Sequence, residues 1–130
     1  MKLYKATFII LITFLSDKAL AEWENVANSV NGDKYYVDFD LIRKSDGLVN
    51  FWLLNDYAEV DDGNRSASGY FQADCDVFRK RVLTYYFYTG QMGKGESYSF
   101  KPSPGTEASD WIYPNPGSVF ASSLEAVCKK

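Results

Sequence analysis

Two cysteines constrain this chain more than any other feature. Cys75 stands in QADCDVF, a stretch that alternates like a β-strand, and Cys128 stands in the closing AVCKK, 53 residues further on. What that spacing means depends on the compartment. Lys2 and Lys5 precede the apolar run ATFIILITFL, and SDKALA then offers a small-x-small cleavage site before Glu22. Residues 1–21 therefore read as a secretory signal peptide and residues 22–130 as one mature domain. The apolar run covers residues 6–15, well short of the roughly 20 needed to cross a bilayer, so no transmembrane segment is expected after cleavage. Exported chains meet an oxidising environment, where two cysteines most simply form one disulfide. Two buried free thiols are the alternative. A metal site is disfavoured because the chain has no histidine and no CxxC pair.

Cleavage leaves 109 residues, enough for a single domain. It removes Lys2, Lys5, Lys18 and Asp17, which takes the formal charge from −3 to −5. A net acidic surface argues against nucleic acid as a partner, because phosphate backbones select basic ones.

The pattern along the mature chain is mainly of strands. Asn31-Gly32 lies between EWENVANS and KYYVDF, a strong two-strand hairpin signal. A single helical turn is expected over Asp40–Arg43. LVNFWLLNDY is apolar on both faces, as in a central strand covered on two sides. AEVDDGNRSAS reads as an acidic loop. In GYFQADCDV, Phe71, Ala73, Cys75 and Val77 alternate with Gln72, Asp74 and Asp76, placing Cys75 on the dry face of a half-buried strand. VLTYYFYTG has the β-branched and aromatic density of a strand, SYSFK is a shorter one, and WIY is an edge segment. After PNPGS the period changes: Phe120, Leu124, Val127 and Cys128 share one face of a short helix with Ser118 as N-cap. Ser122 and Glu125 also have capping-box spacing, which would start the helix a turn later. A bond from Cys75 to Cys128 would clamp this helix across the sheet.

Chemistry is largely excluded. Without histidine there is no imidazole base, no Ser-His or Cys-His pair and no imidazole metal site. A glycosidase-type carboxylate pair needs a deep cleft that so small a sheet hardly builds. The chain is therefore expected to be non-enzymatic and to need no cofactor. DYAEVDDGN lacks the ligand spacing of an EF-hand loop. Asn64-Arg65-Ser66 matches a glycosylation acceptor, a three-residue pattern that carries little weight alone. Arg79, Lys80 and Arg81 read as a strand-end charge cluster beside Asp74 and Asp76, or as a site for acidic groups. Aromatic residues make up 17 % of the chain and concentrate in the strands. A single helix covers only one face of a sheet, so Tyr85, Tyr86, Phe87 and Tyr88 together with Arg79, Lys80 and Arg81 form the candidate binding surface.

The order of landmarks resembles the surface-adhesin protein E family of Gram-negative bacteria: Trp23, YYVDFDLIRKSDG followed by VNFWLLNDY, a serine-bearing strand into DCDVFRKR, YFY, Trp111 before PNPGS, and the closing AVC. The resemblance spans the mature chain. It implies an α+β fold, an antiparallel sheet of about six strands with a C-terminal helix packed on one face and tied there by a Cys75–Cys128 disulfide. It also implies a dimeric adhesin engaging host extracellular-matrix or serum proteins, although no ligand motif here matches residue by residue. Unlike a surface lipoprotein, the chain has no cysteine at its cleavage site. A soluble periplasmic interaction module, an inhibitor or envelope factor never displayed on the surface, is the alternative expectation.

Overall fold

Short turns with left-handed backbone set the layout. The computed structural model describes residues 21–129, so the signal peptide read in residues 1–21 lies outside the described residues except for Ala21. Strands β1 (Glu24–Asn28) and β2 (Lys34–Val37) pair antiparallel around the Asn31-Gly32 turn, where Gly32 has φ +94° and sits against Ala58. Asp38 then caps a 3-10 turn over Phe39–Leu41, accepting the Asp40 N–H at 3.1 Å. The turn begins a residue earlier than expected because Asp38 is the capping side chain. A short strand β3 (Arg43–Ser45) follows, and Asp46 and Gly47, with φ of 53° and 75°, fold it back onto β4 (Leu48–Asp61).

The segment 58–68 is not the acidic loop its composition predicts. Strand β4 runs through Asp61, Asp62 and Gly63 turn with φ of 48° and 78°, and β5 (Asn64–Asp74) begins at once. Two consecutive residues at positive φ are the signature of the hairpin turns that Asp-Gly favours. Ala58–Asp61 project beyond the core and are exposed, so no apolar alternation marks them. Strand β6 (Arg79–Tyr88) pairs with β5, and β7 (Ser97–Phe100) pairs with β6. The antiparallel sheet has seven strands: six in the order β1-β2-β4-β5-β6-β7, with β3 added to β4 beyond the end of β2.

Helix α1 (Val119–Cys128) begins where Ser118 accepts the Ala121 N–H at 3.1 Å, rather than at Ser122. Its Leu124 and Val127 are fully buried with Val37, Phe51, Leu53, Phe71, Ala73 and Val82. Each of these side chains other than Ala73 contributes about 1.5–3 kcal/mol. Cys75 and Cys128 form the disulfide, with Cα atoms 5.6 Å apart. Cys75 occupies the tight turn after β5 rather than the strand itself: β5 stops at Asp74, whose side chain accepts the Val77 N–H, and Phe78 has φ 59°. Val77 is accordingly 51 % exposed, not on a dry face.

Gly69, in the middle of β5, is there for space. A Cβ at this position would lie 2.2 Å from the Phe71 ring, which is 4 % exposed and stacked on Phe51. The ring would have to leave its stack on Phe51. Gly69→Ala is expected to lower unfolding stability by about 2 kcal/mol, in the range of overpacked cores; denaturant titration showing a neutral or stabilising effect would contradict this packing.

Candidate binding surfaces on the two faces of the sheet

Strand alternation separates the candidate residues onto opposite faces. Lys80, Val82, Tyr85 and Phe87 face the helix side, and Arg79, Arg81, Thr84, Tyr86 and Tyr88 face away from it. A bulge opposite Tyr70 and Phe71 absorbs Leu83 and keeps Val82 and Tyr85 on the same side. The seven residues are therefore not one surface.

Lys80 is not on a surface at all. It is 1 % exposed, and its Nζ lies 4.2 Å from the centre of the Phe71 ring and 4.0 Å from that of Phe120, with no hydrogen-bond partner. The middle residue of the Arg-Lys-Arg run points inward opposite Ala73, whose small side chain leaves room for it. Burial lowers its ammonium to about 7, while the two ring faces favour the charged form.

On the helix side the helix covers only part of the sheet. Beside its first turn a cavity of about 250 Å³ opens between Tyr35, Tyr57, Tyr85, Phe87 and Phe120, with Ala67 and Gly69 as its floor. Burial raises the phenols of Tyr35, Tyr57 and Tyr85, with Asp33 adding to the first and Asp61 to the second. Asn55 donates to the Tyr35 hydroxyl at 3.4 Å, while its Oδ1 is buried without a partner. From this cavity a row of rings leads to the sheet edge. Tyr85 and Phe87 are 6.1 Å apart, and Phe87 stacks on Tyr98 of β7 at 5.2 Å. Tyr98, Phe100 and Phe120 are 56 %, 50 % and 43 % exposed. Sequence reasoning passed over Tyr98, Phe100 and Phe120 as binding residues. The serine-aromatic alternation of SYSF was the available signal for the first two.

The opposite face has a different chemistry. Trp52 packs on Tyr70 and Tyr86. Arg79 pairs with Asp74 at 3.1 Å and donates to the Tyr113 hydroxyl. Arg81 donates from Nε and Nη2 to Gln72 Oε1, at 2.9 and 2.6 Å. Both guanidinium groups lie over Trp111, 4.3 and 4.5 Å from its ring centre. The segment Lys101–Ser109 folds over this face, and Ile112 closes it by two backbone hydrogen bonds with Lys80. Among the described residues no three His, Cys, Asp or Glu side chains converge to hold a metal ion, and no helix is long and apolar enough to cross a membrane.

Comparison with known proteins agrees with this architecture. The chain superposes on crystal form II of Haemophilus influenzae protein E with a TM-score of 0.62 at 18 % identity, covering 85 % of this chain and 89 % of that one. A second structure of Haemophilus influenzae protein E gives a TM-score of 0.60 at 18 % identity over 85 % and 86 % of the two chains. Protein E from non-typeable Haemophilus influenzae gives 0.56 at 17 % identity over 87 % and 79 %. No curated protein sequence matches significantly. The sequence profile of surface-adhesin protein E matches residues 23–129, nearly all of the described residues, and the protein therefore belongs to the surface-adhesin protein E family.

Proposed function

We propose that the chain is an exported, non-enzymatic binding protein that takes a segment of a protein partner, a host matrix or serum protein, in the aromatic groove on the helix side. The observation that carries this reading is the row Tyr85, Phe87, Tyr98, with Phe100 beside it, running from a small cavity to the outer edge of β7. Half-exposed aromatic side chains supply rigid contact area at interfaces. The outer edge of β7 lies at the end of the sheet order, and a partner strand can hydrogen-bond to such an edge while placing alternate side chains against the rings. Residues 1–21 serve as the cleaved export signal. A periplasmic address is the second reading, favoured by the lack of a cysteine beside Ala21 to take a lipid.

The test is binding of the mature protein to a panel of immobilised extracellular-matrix and serum proteins. A saturable interaction is expected, weakened at least tenfold in a Phe87→Ser, Tyr98→Ser double variant and unchanged in Asp76→Asn, which alters an exposed turn. Binding indifferent to the double variant would move the site away from the groove. A folded protein that retains nothing from the panel, and is released from cells by osmotic shock alone, would overturn the host-adhesin reading in favour of the periplasmic one.

A further inference from the structure

We infer that the cleft on the sheet face opposite the helix binds an anionic saccharide, with Arg81 receiving the acidic group. The cleft has a volume of about 470 Å³ and lies between Tyr70, Arg81 and Thr84 on the sheet and Lys101, Pro104 and Ser109 on the covering segment. That size suits a small ligand rather than a protein surface.

Charge is the first argument. Arg81 and Lys101 line the cleft, and no carboxylate does, although the whole chain carries a formal charge of −3. Arg79 pairs with Asp74, whereas Arg81 has no carboxylate partner among the described residues, so its charge is not neutralised by an acid. Its orientation is nevertheless fixed by a neutral acceptor, Gln72 Oε1, and by the Trp111 ring. A guanidinium carries five N–H donors, and the contacts to Gln72 use only Nε and one side of Nη2. The remaining donors form a fork suited to a carboxylate or sulfate.

The second argument concerns the polar groups that are not cations. The hydroxyls of Tyr70 and Thr84 line the cleft, and neither makes a hydrogen bond to another described residue. Tyr70 is held in place by its ring, 4.8 Å from that of Trp52. Two unengaged hydroxyls beside an oriented cation, with tyrosine and proline surfaces around them, match a ring that carries both hydroxyl groups and C–H faces. A bare phosphate would use the cations and accept from the hydroxyls but leave the apolar walls idle.

The third argument is that the walls are built before any ligand arrives. Pro102 is buried, Thr106 hydrogen-bonds back to Ser103, Ser109 bonds back to Thr106, and the Ile112–Lys80 bridge fastens the far end of the segment. Preorganised walls lower the ordering cost of binding. The ligand class is a mono- or disaccharide bearing a carboxylate or a sulfate ester, and it occupies the face opposite the groove assigned to the protein partner.

Titration calorimetry of the mature protein with glucuronic acid, a sulfated disaccharide and neutral glucose tests the assignment, together with NMR observation of the Arg81 Nε–H. The expected result is saturable binding of at least one anionic sugar, with a shift of the Arg81 resonance and no comparable binding of glucose. The two anionic arms distinguish carboxylate from sulfate. Affinity is expected to fall at least tenfold in Arg81→Gln and about threefold in Lys101→Gln, an exposed residue whose replacement leaves the fold intact, and to weaken as salt rises. Equal binding of glucose, binding indifferent to both variants, or no saturation by either anionic sugar at tens of millimolar would overturn it. Partner capture by the groove residues would survive any of these failures, since the two surfaces share no side chain.

Discussion

Reducing the Cys75–Cys128 bond is expected to release helix α1 while the β4-β5-β6 ladder stays protected. The bond closes a loop of 53 residues, for which the chain-entropy relation gives about 4 kcal/mol. That is a large share of the roughly 5–15 kcal/mol that hold a domain together. The helix is ten residues long, below the roughly 12–15 at which isolated helices become stable. Ordering each residue costs about 1–2 kcal/mol. Burial of Leu124 and Val127, at about 1.5–3 kcal/mol each, does not offset that on its own. Denaturant unfolding with and without reductant should show the loss, and hydrogen exchange should show the amides of residues 122–128 opening first. Equal stability and equal helix protection in the two states would sink the idea that the bond anchors the helix.

Replacing Lys80 by methionine is expected to stabilise the protein at pH 7 by about 2–4 kcal/mol and to remove most of its pH dependence above neutrality. The sign follows from linkage. In the folded protein the ammonium is lowered to about 7 from its ordinary 10.5, so between these values the unfolded chain binds more protons and stability rises with pH. The penalty for burying the charge is fully present below pH 7 and disappears towards pH 10.5, with a slope of at most about 1.4 kcal/mol per pH unit. The full shift would correspond to about 5 kcal/mol, which the Phe71 and Phe120 rings reduce by about 0.5–2 kcal/mol each. Methionine keeps the stem and offers sulfur to the same two rings. Tyr35, Tyr57 and Tyr85 act in the opposite direction: their raised phenols hold stability below pH 10 that is lost above it. The comparison of Lys80→Met with the parent therefore belongs between pH 7 and 9.5. A variant that is less stable at pH 7, with an unchanged slope, would show that the ammonium is satisfied where it lies.

The residues that carry strong periodicity were legible in advance. The 3.6-residue spacing of Leu124 and Val127, the N-cap at Ser118 and the Asn31-Gly32 hairpin correspond to local physics and reappear in the structure. Features that depend on distant chain were not legible. The inward turn of Lys80 is encoded in strand alternation, yet its environment comes from Phe120, 40 residues later, and a run of three cations masks the pattern. Strand β3 is three exposed residues whose only structural signal is the Asp46-Gly47 turn after it. The cleft beside Arg81 needs the Lys101–Ser109 segment to cross the sheet, and nothing in PSPGTEASD specifies where a loop will land. The tyrosines of TYYFY were recognisable as alternating. Which of them would remain open depended on how far a ten-residue helix reaches across a wider sheet.

The bond between the chain's middle and its end also decides how the molecule answers to pulling. Tension applied between Glu22 and Lys129 enters at Cys128, crosses to Cys75 and continues through β5 towards β1, bypassing residues 76–127. Those residues hold back about 180 Å of contour length at roughly 3.5 Å each for as long as the sulfurs stay joined. Stretching the oxidised protein would therefore pay out only residues 22–75, the stretch that carries β1 to β5, whereas the reduced protein would pay out its whole length.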